Sequence, residues 1–165
     1  MMEKSMKRKI GRTFLCVTGL FFGITTFNVM AATQSTPQVV AAAAAVKEEA
    51  VKAVYHINDT TVARGALYNI ANHLSVDPTA KIVVVVHGKG IDFLLEGSRD
   101  VNGNPYDAQI DELQRKGVVF EACRKTLQGR HLSEKDLISD IKIVPSGVAE
   151  LARLQAKEGF IYIKP

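Results

Sequence analysis

Residues 81–90 read KIVVVVHGKG, and the run Ile82–Val86 within them decides the fold. β-branched side chains are stiff at χ1 and suit a pleated surface. A run of them with no polar alternation is buried on both faces, which marks a strand of a parallel sheet. Parallel strands are joined by long crossovers, so helices are expected on either side of the run. His87-Gly88-Lys89-Gly90 terminates it.

Upstream, Ala53–Ile57 (AVYHI) is a second β-prone run, stopped by Asn58-Asp59. Thr60–Leu74 then places Val62, Ala66, Leu67, Ile70, Ala71 and Leu74 on one helical stripe, with Asp59 or Thr60 as its N-cap. Val76-Asp77-Pro78 ends that helix. Downstream, residues 91–97 form a short helical turn, Ser98–Asn104 a polar loop, and Tyr106–Lys116 an amphipathic helix closed by Gly117. Val118–Ala122 (VVFEA) is the third strand, ending on Cys123. Arg124–Leu132 reads as irregular or weakly helical, and Ser133 and Asp136 have capping-box spacing. Strand Ile141–Val144, helix Val148–Lys157 and strand Phe160–Ile163 follow. The alternation predicts an α/β doubly wound domain over residues 51–165.

The full chain of 165 residues carries 21 Lys+Arg against 17 Asp+Glu, a net charge of +4. That basic balance would ordinarily direct attention to nucleic acid or an anionic membrane. The excess is confined to the front. Residues 1–12 hold Lys4, Lys7, Arg8, Lys9 and Arg12 against Glu3, and the apolar run Phe14–Ile24 follows. With Val29 and Ala31 at the −3 and −1 positions, residues 1–31 have the layout of a secretory signal peptide. The alternative, a retained anchor, has too short an apolar stretch, interrupted by Gly19, Gly23 and Asn28. Removing residues 1–31 leaves 16 basic and 16 acidic side chains, so the exported chain is neutral and the argument for nucleic acid lapses. Residues 32–50, rich in alanine, read as a linker or tail with a possible helical stretch at Ala41–Ala50. Localisation is expected to be periplasmic, with no membrane association after cleavage.

Cys16 leaves with the signal, so Cys123 is the one thiol of the exported chain. In doubly wound sheets, ligands bind beyond the carboxyl ends of the strands. Here those ends carry Asn58-Asp59, His87-Gly88, Cys123 and Pro145-Ser146. Arg124, Lys125, Arg130 and His131 all lie within eight residues of Cys123, and nearby cations favour the thiolate. Each residue also has a plain structural reading. A lone cysteine can be an inert small hydrophobe; His87 can cap a turn; His56, inside a strand, reads as packing; His73 suits a helix C-terminus; Asn58 and Asp59 can simply cap a helix. Cys123, His87 and His131 lack the spacing of a zinc site. The first strand is not followed by the glycines of a dinucleotide fingerprint, so no cofactor and no metal are expected.

The order of elements and four local strings resemble the DsrE/DsrF-like family of small sulfur-handling proteins. The strings are VYHINDTTVARGALYNIANHL, KIVVVVHGKGIDFLL, GVVFEACRKTLQGRHL and IKIVPSGVAELARLQAKEGFIYIKP, covering nearly all of residues 52–165. The last two are the most specific, because a strand ending in cysteine is followed at the proper interval by VPSGV. The resemblance implies a three-layer α/β/α flavodoxin-like fold with a mostly parallel five-stranded sheet, assembled as trimers or hexamers. It also implies that Cys123 carries sulfur as a persulfide and passes it to another protein's thiol. The family's better-studied members work in the cytoplasm, whereas this chain carries an export signal, so its donors and acceptors would be periplasmic proteins or small reduced sulfur compounds.

The leading expectation is therefore a periplasmic sulfur carrier or sulfurtransferase. Cys123 would be the nucleophile, Arg124 and Arg130 would lower its pKa, and His87 or His131 would move protons or hold an anion. Asn58 and Asp59 complete the expected rim. The competing expectation is a non-catalytic binding or assembly module in which Cys123 is inert. A third is redox sensing through an intermolecular Cys123 disulfide.

Overall fold

A computed structural model describes residues 49–165. The expected signal peptide at 1–31 and the Ala-rich segment up to residue 48 lie outside the described residues. Five strands, β1 (Lys52–Ile57), β2 (Lys81–Val86), β3 (Val119–Cys123), β4 (Lys142–Val144) and β5 (Ile161–Ile163), form one sheet in the order β4-β3-β2-β1-β5. All of the pairings are parallel. Four helices connect them: α1 (Ala63–Val76), α2 (Asp107–Arg115), α3 (Arg124–Gly129) and α4 (Gly147–Glu158). The segment after Cys123, expected to be irregular or weakly helical, begins with α3, a helix too short to show a period in the sequence.

The run that decided the fold behaves as its composition requires. In β2, Ile82–Val86 is buried on both faces while Lys81 is exposed. Its even residues Ile82, Val84 and Val86 join the larger core with α1, α2 and α3, through Leu67, Ile70, Ile110, Leu113 and Leu127. Its odd residues Val83 and Val85 face the other way, onto Leu151 and Leu154 of α4. Each of those buried leucines contributes about 1.5–3 kcal/mol by removal from water. One helix therefore covers the second face. In α1 the predicted stripe is buried at Ala66, Leu67, Ile70 and Leu74, and Ala63 joins it.

The caps follow local chemistry. Asp59 accepts the Thr61 N–H at 2.9 Å and starts a 3₁₀ turn, Thr60–Val62, that leads into α1. Ser133 and Asp136 form the expected capping box. Ser146 caps α4, and Gly159 ends it in the left-handed conformation. Glycine is required at residue 90 for another reason. A Cβ there would lie 2.5 Å from the Ile57 carbonyl oxygen, so no side chain fits between the turn after β2 and the end of β1.

Connectivity fixes where a ligand can enter. β3 leads into α3 on the larger-core face, as buried Leu127 shows. β4 leads into α4 on the opposite face. Adjacent strands whose exits diverge to opposite faces leave a crevice between them, the topological switch point of an open α/β sheet. The residues at this crevice are Cys123, ending β3, and Ser146-Gly147, opening α4.

Candidate functional site

Cys123 ends β3 in extended conformation and is the residue from which α3 starts. It is a free thiol, 5% exposed. The N–H groups of Gly147, Thr126 and Lys125 and the Thr126 hydroxyl face its sulfur. The Thr126 oxygen accepts the Gly88 N–H at 3.0 Å, which leaves the hydroxyl proton free to point at sulfur. Burial alone would push the thiol up, but the bonds from Gly147, Thr126 and Lys125 outweigh it and the net shift is downward. Donors aimed at sulfur favour the thiolate because only the charged form accepts all of them strongly.

The two arginines named in the sequence have ion-pair partners of their own. Arg124 pairs with Glu134 at 3.0 Å, and both side chains are about half exposed. Arg130 pairs with Asp92 at 2.5 Å and reaches the Gly88 carbonyl. Both guanidiniums are engaged elsewhere, and hydrogen bonds rather than clustered cations lower the thiol. His131 is exposed beyond α3, with left-handed backbone at φ 57°. It makes no side-chain hydrogen bond to Cys123.

His87 does reach the site. A Cβ on Gly147 would stand 3.3 Å from the Cys123 Cβ, 3.2 Å from the His87 Cβ and 3.4 Å from the His87 Cδ2. Cys123 and His87 therefore flank the first residue of α4. Asn58 accepts from Lys164 at the rim, and Asp59 acts as the cap described above.

His56, read from sequence as packing, belongs to the site. Its Nε2 meets the His87 Nε2 at 2.7 Å, and its Nδ1 meets the Tyr162 hydroxyl at 2.6 Å. The two imidazoles stack with centroids 4.8 Å apart. Burial, the Lys164 charge and the neighbouring His87 push His56 down to about 4. Burial and Lys164 lower His87 as well. Both rings are neutral at neutral pH. The missed signal is positional: His56 and Tyr162 face α4's side of the sheet, the side that also carries Cys123.

Glu121, two residues before Cys123 on the same face of β3, is also beneath α4. It is 1% exposed, and its Oε1 accepts from Lys142 at 2.6 Å. Its Oε2 is the one buried side-chain polar atom without a hydrogen-bond partner among the described residues. Glu150 of α4 is its neighbour and is held by Arg153 at 2.9 Å. Among the described residues no group of three or more His, Cys, Asp or Glu is arranged to hold a metal. A surface groove of about 580 Å³, lined by Asp111, Gln114, Arg115, Val119 and Asp140, lies at the opposite end of β3 and touches none of these groups.

An all-parallel α/β domain with a thiol at its switch point defines a class, and the comparisons place the chain within it. The DsrE/DsrF-like family model matches residues 26–165, and the chain belongs to that family. The structure of MTH1491 from Methanobacterium thermoautotrophicum, described as a protein of unknown function, is similar with a TM-score of 0.62 at 29% identity. The match covers 70% of this chain and 99% of that one. The ychN protein from E. coli shares the fold, with a TM-score of 0.60 at 16% identity over 70% of this chain and 99% of its own. No curated protein matches the chain.

Proposed function

We propose that this protein is an exported sulfur carrier that accepts sulfane sulfur on Cys123 and passes it on as a persulfide. The observation that carries the reading is the set of hydrogen-bond donors converging on the Cys123 sulfur from α3 and Gly147. A structural cysteine gains nothing from donors that stabilise its anion; a nucleophile needs them. Membership of a family associated with sulfur relay supports the same chemistry. The thiolate attacks the outer sulfur of a donor, the donor's S–S bond breaks, and a donor thiolate leaves. In this reading residues 1–31 act as a signal peptide and the chemistry takes place in the periplasm. There a protein with balanced charge would meet persulfidated proteins or small polysulfides as a homo-oligomer.

The test is loading of the purified protein with a sulfane donor, followed by cyanolysis. Wild type is expected to release about one sulfur per chain at saturation, following its single mature thiol. Cys123→Ser is expected to release none, and equal release from both proteins overturns the proposal. The second reading is a binding module with an inert cysteine, and it is favoured by the 5% exposure of Cys123. It predicts that a thiol reagent labels the native protein no faster than it unfolds.

A further inference from the structure

Sulfur transfer leaves a proton to be placed, because the donor departs as a thiolate. We infer that Tyr162, His56 and His87 form a proton relay between solvent and the sulfur-transfer site. This deepens the persulfide reading and rests on it.

The geometry is a continuous chain, with the Tyr162 hydroxyl 2.6 Å from His56 Nδ1 and His56 Nε2 2.7 Å from His87 Nε2. Two ring nitrogens that close share one proton, so one ring must donate while the other accepts. That constraint couples the tautomers. If Tyr162 donates to His56, then His56 Nε2–H donates to His87, and His87 presents an N–H at Nδ1. If the direction is reversed, His87 Nδ1 presents a lone pair. Among the described residues no carboxylate hydrogen-bonds either ring, so nothing pins one tautomer, unlike a catalytic triad or a zinc-bound histidine. Burial lowers both rings most, and the charged group acting on both is Lys164, which adds to the preference for their neutral forms. The chain's outer end is open, since Tyr162 is 42% exposed. At its inner end His87 packs on Gly147, which Cys123 flanks from the other side. The His87 atoms against Gly147 are Cβ and Cδ2, and Nδ1, on the ring's other edge, has no hydrogen-bond partner among the described residues; it is the nitrogen this relay would present to a donor or acceptor sulfur.

The step balances as follows. The Cys123 thiolate attacks the outer sulfur of a hydropersulfide, forming the Cys123 S–S bond while the donor's S–S bond breaks. The electron pair leaves with the donor's inner sulfur, which takes the proton from His87 Nδ1. His87 Nε2 then receives the proton of His56 Nε2, His56 Nδ1 receives that of Tyr162, and Tyr162 is reprotonated by water. The reverse sequence serves delivery to an acceptor thiol, whose proton passes outward.

Two rates on the same proteins test the relay: loading of Cys123 by glutathione hydropersulfide, and alkylation of Cys123 by iodoacetamide, which consumes thiolate and needs no acid. Tyr162→Phe and His56→Gln are each expected to slow loading by about 100-fold or more, within the 10²–10⁴-fold range of one general acid, and to flatten its pH profile. Alkylation should stay at the wild-type rate in both. Loading at the wild-type rate in both variants overturns the relay, as does equal slowing of loading and alkylation, which would mean a structural role. If wild type itself takes up no sulfur, the carrier reading fails first and the relay falls with it.

Discussion

Gly147 is where the site is most sensitive to a single atom. Its N–H bonds the Cys123 sulfur, and its missing Cβ leaves room for Cys123 and His87 to approach from two sides. An added methyl would meet both side chains at 3.2–3.3 Å, closer than ordinary contact, and one of the three groups must move. Gly147→Ala should therefore keep the fold yet weaken the Gly147 bond to sulfur. Iodoacetamide alkylation near neutral pH should slow several-fold, and the midpoint of its pH profile should rise; an unchanged profile contradicts the role given to that N–H. Cys123 and His87 were legible as strand-end residues because the apolar runs fix where strands stop. Gly147, His56 and Tyr162 were not. Their roles come from register between strands distant in the chain, with Val54 opposite Tyr162 and His56 opposite Val85, and no local pattern encodes that register.

α4 crosses the sheet alone, and what lies beneath it is mixed. Leu151 and Leu154 supply the apolar contact, while Glu121 and Glu150 face each other next to Lys142 and Arg153. Two carboxylates cannot both be charged at such proximity without a cost, and a proton on Glu121 gives its otherwise unpartnered oxygen a bond to Glu150. Burial, only partly offset by Lys142, raises the Glu121 pKa, while Arg153 lowers that of Glu150. A carboxyl with a raised folded-state pKa binds its proton more tightly when folded. Its contribution to stability is complete below the unfolded value and is lost as pH rises through the folded one. Glu121→Gln removes this dependence and keeps an N–H for Glu150. The melting temperature of the variant relative to wild type is expected to rise from acidic to neutral pH; a difference independent of pH contradicts the shared proton. The helices and the β2 run were readable from periodicity, because apolar spacing depends on neighbours in sequence. α3 was not, since its six residues hold one buried side chain, Leu127. Glu121 was unreadable too, because a single acid in a strand does not announce that another element will cover it.

At the scale of the whole molecule, topology points to one end of the sheet. The order β4-β3-β2-β1-β5 places the divergence of chain exits between β3 and β4, and the thiol stands there. The chain's excess charge of +4 is held in residues 1–31, so the 16 acidic and 16 basic groups that remain give no general field to attract a polyanion. On the proposed function, recognition of a sulfur donor would then rest on the local site. The central claim is that Cys123 carries sulfur, and the intact mass of protein isolated from the cell envelope tests it most directly. The account predicts a mature chain bearing one additional sulfur atom that a reductant removes and that Cys123→Ser lacks. A wild-type chain with no added sulfur, or one whose added sulfur persists in Cys123→Ser, would contradict it.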